Sequence, residues 1–122
     1  MSEIAVQRVR EYVASSGRSA GTVFLVDRIW PRGIAKADLR LDGWVKDVAP
    51  TTELRQWFGH DPKRWAGFRT RYLAELKDNR AAAQPLIDAA GKGALVLLFD
   101  AKDSEHNQAV VLAEWLRRIV GS

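Results

Sequence analysis

Two short stretches of the chain are apolar at nearly every position, Thr22-Val23-Phe24-Leu25-Val26-Asp27 and Leu95-Val96-Leu97-Leu98-Phe99-Asp100. Runs of that length, rich in β-branched and aromatic residues, predict strands buried on both faces. Residues Ile4 to Val9 alternate apolar and polar positions more loosely and predict a third, shorter strand. Elsewhere the period lengthens. Trp65, Phe68, Tyr72 and Leu76 recur at helical spacing, which predicts a helix capped by Asp61, opened by Pro62 and reaching about Lys77. Leu112, Trp115, Leu116 and Ile119 form a second stripe, on a helix expected from Ser104 or Glu105 to about Val120. Thr52 can cap a short helix, Glu53 to Phe58, that Gly59 ends. Asn79 can cap another, which Pro85 kinks or delays and Gly91 closes. Residues 14–21 are small and polar and read as a loop, while Pro31 and Gly33 make residues 28–43 irregular, with a short helix near Asp42–Val48.

A buried strand, a helical crossover and a second buried strand are most simply a right-handed βαβ unit. The expected fold is therefore α/β, a small mainly parallel sheet flanked by helices in a single domain spanning residues 1–122. So few strands leave room for a partner subunit to complete the sheet.

Composition narrows the chemistry. The 122 residues include no cysteine, which removes disulfides, thiol catalysis and cysteine-ligated metal sites. No apolar run could span a bilayer, and MSEIAVQRVR lacks a secretory apolar region, so a cytoplasmic protein without membrane contact is expected. Nineteen basic and fifteen acidic residues give a net charge of +4, all of it in the first two thirds. Residues 81–122 carry four basic against five acidic residues. That bias favours anionic partners without diagnosing nucleic acid.

In open α/β sheets, ligands bind beyond the carboxyl ends of the strands. Both buried runs end there in an aspartate followed by cations: Asp27-Arg28-Ile29-Trp30-Pro31-Arg32 and Asp100-Ala101-Lys102-Asp103. If the strands are neighbours, Arg28, Arg32 and Lys102 converge on one rim with Asp27 and His106, and the last helix points its N-terminus there. Asp27 and His106 are the candidate proton-handling groups, and Trp30, Asp103 and Asn107 the candidate lining. Structural readings compete, with Asp100 and Asp103 as turn or cap residues and Arg28 as half of an internal pair. On the helix after Asp61, Lys63, Arg64 and Arg71 scatter around the axis, whereas Arg69 lies only about 40° from Trp65. Arg69 therefore needs an anionic partner, a ligand or a carboxylate. His60 reads as a turn residue. Neither histidine has metal-ligand spacing, so no metal is expected, and the cofactor is left unknown. Gly91-Lys92-Gly93 precedes a strand, unlike a phosphate loop.

Four ordered motifs carry a family resemblance: Val26-Asp27-Arg28-Ile29-Trp30-Pro31-Arg32-Gly33, the run Ala49–Pro62, the run Phe68–Leu76, and Ala101-Lys102-Asp103-Ser104-Glu105-His106-Asn107. Together they resemble the YeaO-like family, small bacterial and archaeal proteins of unknown function, over about residues 4–116. The resemblance implies a free-standing cytoplasmic α/β domain and implies no activity. The last motif also looks like a pattern of a larger family, with Arg where Lys102 stands, Cys where Asn107 stands, and a His-Arg pair shortly after. Lacking that cysteine, this chain cannot inherit thiol chemistry.

The leading expectation is a pocket at the strand ends that binds an anion or phosphate and acts on a nucleotide or phosphorylated small molecule. Arg28, Arg32, Arg69 and Lys102 would hold it, and whether catalysis follows is left open. The rivals are a nucleic-acid-binding or regulatory module and a non-catalytic interaction domain.

Overall fold

The structure is a computed structural model that describes residues 3–15 and 21–121. Four strands, β1 (Ile4–Arg8), β2 (Thr22–Leu25), β3 (Gly43–Trp44) and β4 (Leu95–Phe99), form one sheet in the order β1-β4-β2-β3. All three pairings are parallel, with Ile4 opposite Leu95, Thr22 opposite Leu95 and Phe24 opposite Gly43. The expected small parallel sheet flanked by helices is what forms, and β2 and β4 are neighbours.

Strand alternation divides the core in two. Val23 and Leu25 of β2 join Leu98 of β4 on one face, under Val9 and Tyr12 of α1 (Val9–Ala14) and Leu39 of the loop after β2. Phe24, Val26, Leu95, Leu97 and Phe99 face the other way. They pack under α2 (Thr52–Phe58), α3 (Trp65–Asp78), α4 (Gln84–Lys92) and α5 (Gln108–Ile119). Because both faces are covered, the strands carry apolar residues continuously. The chain steps from β1 to β2 across one face and returns from β3 to β4 across the other. Opposite steps on opposite faces give both crossovers one hand.

Several expectations shift. The residues after β1 turn directly into α1, so Ala14 is helical, and the expected loop otherwise falls mainly on residues 16–20, outside those described. Near Asp42–Val48 the chain forms β3 and a 3₁₀ turn, Lys46–Val48, rather than a helix. Gly43 allows this edge strand to lie close, since a Cβ there would come within 2.7 Å of the Phe24 ring. Thr51, not Thr52, caps α2, its side chain accepting from the Leu54 N–H at 3.2 Å. Asp61 opens a 3₁₀ turn, Pro62–Arg64, that leads into α3. Pro85 sits in the first turn of α4, where its missing N–H costs nothing, and α4 continues past Gly91 to Lys92. The largest shift is at α5, which begins at Gln108, so His106 lies in the preceding loop. Among the described residues, no helix is long and apolar enough to cross a membrane.

Tyr72 ties these layers together. Its fully buried hydroxyl donates to the Val48 carbonyl at 2.6 Å, linking α3 to the segment that follows β3. Burial raises the phenol above its ordinary range, so it stays protonated and remains a donor. Tyr72→Phe should therefore lower stability by about 1–2 kcal/mol, the cost of leaving a buried carbonyl unpaired. Urea unfolding reads this directly, and an unchanged midpoint would show the hydroxyl to be idle.

Candidate functional site

The loops after β2 and β4 leave the sheet in different directions, one folding over the α1 side and the other turning into α5 on the opposite side. A crevice opens where neighbouring connections part in this way. Asp27 sits at its base. One carboxylate oxygen accepts the Asp100 N–H at 2.9 Å, and the other accepts the Gln108 side-chain amide. Its backbone carbonyl accepts the Trp44 indole N–H at 2.7 Å.

Two lobes of the cleft meet here. The larger, of about 630 Å³, is lined by Asp27, Arg28, Trp30, Arg32, Lys102 and Asp103, among others. The smaller, of about 220 Å³, is lined by Gln56, Phe58, Phe68, His106 and Asn107. Pro50, Arg55, His60, Ala101 and Gln108 belong to both.

The structure brings most of the sequence-derived residues to this crevice, though not all in the expected roles. Arg28 donates to the Ala49 carbonyl at 3.1 Å, while its Nε is buried with no hydrogen-bond partner. Arg32 and Lys102 are exposed on the large lobe and form no ion pair among the described residues. Trp30 lines the same lobe with its indole N–H fixed on the Ile34 carbonyl at 2.7 Å and its ring edge-on to Trp44. Asp103 acts as a cap, one oxygen accepting the Glu105 and His106 N–H groups, and these bonds hold its carboxyl below the usual range. Its other oxygen lies 2.9 Å from His106 Nδ1. His106 faces the small lobe, edge-on to Trp65 with ring centroids 5.1 Å apart. Asp27 and His106 thus line different lobes. Asn107 touches the small lobe, yet both ends of its amide are committed. Oδ1 accepts from Val110 N–H at 3.2 Å, and Nδ2 donates to the Asp103 carbonyl at 2.9 Å.

Arg69 is the correction. It lies outside both lobes and is paired through two nitrogens with both oxygens of Glu114 on α5, with Nε at 3.0 Å. Glu114 also receives Arg118 at 2.9 Å. Of the two partners Arg69 could have had, the carboxylate is the one present.

Three residues without a sequence signal line the cleft: Arg55 and Gln108 in the shared wall and Gln56 in the small lobe. Arg55 and Gln56, with Thr52, occupy i, i+3 and i+4 positions on the exposed side of α2, a polar stripe opposite the buried Leu54 and Phe58. Gln108 is the first residue of α5. His60 follows the left-handed cap Gly59 and is itself left-handed at φ 58°, a conformation a residue with a Cβ rarely adopts. No pattern of residue types signals that strain.

Enclosure drives the chemistry of Asp27. Loss of solvent raises its pKa from 3.8 to about 6, and the nearby Asp100 charge adds to this. The Asp100 N–H, Arg55 and Gln108 pull the other way and do not cancel it. A carboxyl raised in the folded state stabilises fully below its unfolded pKa, and that stability is lost as pH rises through the folded value. The window is therefore about pH 4 to 6, and the ionised form costs roughly 3 kcal/mol above it. Asp27→Asn should stabilise the protein at pH 8 and flatten the change between pH 4 and 8, while Gln108 can turn its amide to suit. Urea midpoints across that range check this; a parallel loss of stability at every pH would refute it.

Comparison with known proteins agrees with the motif resemblance. The chain is 48% identical to the uncharacterized protein YeaO of Escherichia coli (strain K12) over 102 residues, covering 84% of this chain and 89% of that one. It is 43% identical to the uncharacterized proteins Mb3100c of Mycobacterium bovis and Rv3073c of Mycobacterium tuberculosis over 96 residues, covering 79% of this chain and 80% of each. No solved structure matches. A family model described as the inactive DUF488-N3 subclade matches residues 3–120, and the chain belongs to that family.

Proposed function

We propose that the crevice between the ends of β2 and β4 binds a small phosphorylated molecule, such as a nucleotide, or another compact anion. The observation that carries this is the convergence of four cations on one concave site. Around the large lobe, Arg28, Arg32, Arg55 and Lys102 have no carboxylate partner among the described residues. Asp100, which could neutralise one of them, is taken by Arg10 at 2.9 Å. Uncommitted cations around a concave site suit anion recognition, and guanidinium forks suit phosphate or carboxylate in particular.

Binding without turnover is the reading we favour. The family's description as inactive supports it, as does the separation of Asp27 and His106 between the two lobes. The nucleic-acid reading has less behind it. On α3, Arg69 is paired, and Arg71 lies over the Trp57 ring at 4.0 Å to the centroid.

Thermal unfolding with phosphate, pyrophosphate and sugar phosphates at constant ionic strength tests the proposal. A bound anion at ten times its Kd should add about 1.4 kcal/mol, a shift of several degrees that saturates. An Arg32→Ala, Lys102→Ala protein should lose the shift. A response that grows with salt of any kind and survives the double substitution would overturn the proposal, and a steep loss of nucleic-acid binding with salt would favour the rival.

A further inference from the structure

The two lobes differ in chemistry as well as size. The large lobe holds Arg28, Arg32 and Lys102, together with Asp27, Asp100 and Asp103. The small lobe has no carboxylate in its lining and is built from Phe58, Phe68, His60, His106 and the Gln56 amide, with Arg55 and Gln108 at the junction. At about 220 Å³ it is below the roughly 300 Å³ at which pockets for whole small ligands begin. It suits one flat ring system continuous with a group in the next lobe.

Three further observations point to a planar, hydrogen-bonding ring. Phe58 and Phe68 stack with centroids 4.5 Å apart, and the His60 ring lies 6.3 Å from Phe58, so aromatic surface lines this lobe. The Gln56 side-chain amide has no hydrogen-bond partner among the described residues, and the Gln108 side chain commits only its amide N–H, to Asp27, leaving its oxygen as an acceptor. His60 is held in a left-handed conformation that glycine would adopt without strain, and strained residues of this kind concentrate at ligand clamps.

We infer that the small lobe is a base-binding subsite, so that the cleft takes a nucleoside phosphate with its base beside His60 and Phe58 and its phosphate among Arg28, Arg32 and Lys102. This rests on the anion-binding reading and adds the part of the ligand that the cations do not touch. Aromatic side chains accept any nucleobase face, and the two amides supply a donor and an acceptor for its edge.

Calorimetric titration of the full chain with AMP, GMP, CMP and UMP, each compared with ribose 5-phosphate, tests the subsite. At least one nucleotide should bind about tenfold or more tighter than ribose 5-phosphate, the scale of one base stacked on aromatic side chains. His60→Gly, which relieves the backbone strain and so should not unfold the protein, should bring the two affinities to within about twofold. Gln56→Ala, on the exposed side of α2, should reduce the ratio and alter the ranking of the four bases. Equal affinity for ribose 5-phosphate and all four nucleotides would overturn the base subsite and leave the anion reading standing. Absence of binding by any of the five would overturn both. A ratio unchanged by both substitutions would place the base elsewhere and refute this assignment.

Discussion

The carboxyl group of Asp27 is the constraint on which the crevice depends. It receives one bond from the Asp100 N–H at the end of β4 and one from Gln108 at the start of α5, and its own carbonyl holds the Trp44 indole of β3. Four elements thus meet at one residue. Arg10 of α1 continues the network, bonding the Asp100 carboxylate and, at 2.9 Å, the Arg32 carbonyl. The loops that carry Arg32 and Lys102 are in this way held near each other by polar bonds rather than by packing. Such an arrangement is costly for an acid enclosed from water, and the raised pKa of Asp27 records the cost. A chain selected for stability alone would have little use for an enclosed carboxyl at the mouth of its sheet.

Topology explains why this point was available. A sheet ordered β1-β4-β2-β3 makes the chain reverse its direction of travel between β3 and β4. Loops from the neighbouring strands β2 and β4 then fold to opposite sides, and the gap between them cannot be filled by either. The fold supplies the cleft and the residues Asp27–Arg32 and Asp100–Asp103 supply its walls. Position and composition agree without either causing the other.

The sequence shows this site because its signals are local. Two apolar runs, each ended by an aspartate and then cations, mark both strand ends, and parallel pairing brings them together. What the sequence hides is what depends on tertiary context. β3 has only two residues, too short for any period, and is held by β2 and the Asp42 side chain, which accepts the Val23 N–H at 2.7 Å. α1 follows β1 with no Gly or Pro between them, so Val9, its first residue, reads as the end of the strand. The start of α5 is displaced because Asp103 and Asn107 both cap in series, and Ser104 and Glu105 look equally able to begin a helix. Arg69 could be placed beside the apolar face of its helix, but Glu114 lies forty-five residues away along the chain and only packing of α3 on α5 joins them.

Asn107 shows what the architecture keeps and what it gives up. At the position where the larger, resembling family pattern has cysteine, this chain has a buried amide, with 2% of its surface exposed. Both ends of that amide serve the turn into α5, so the side chain closes the loop and caps the helix. A thiol can do neither job well, being a weak donor and a weak acceptor. Asn107 thus supplies two structural hydrogen bonds at a position that lines the small lobe. Around it stand the crevice, its enclosed carboxyl and cations that form no ion pair among the described residues. A cleft with no occupant would gain stability by filling with apolar side chains, since each unpaired buried polar atom, such as Arg28 Nε, carries a penalty. That this penalty is borne is the physical argument behind the proposed ligand.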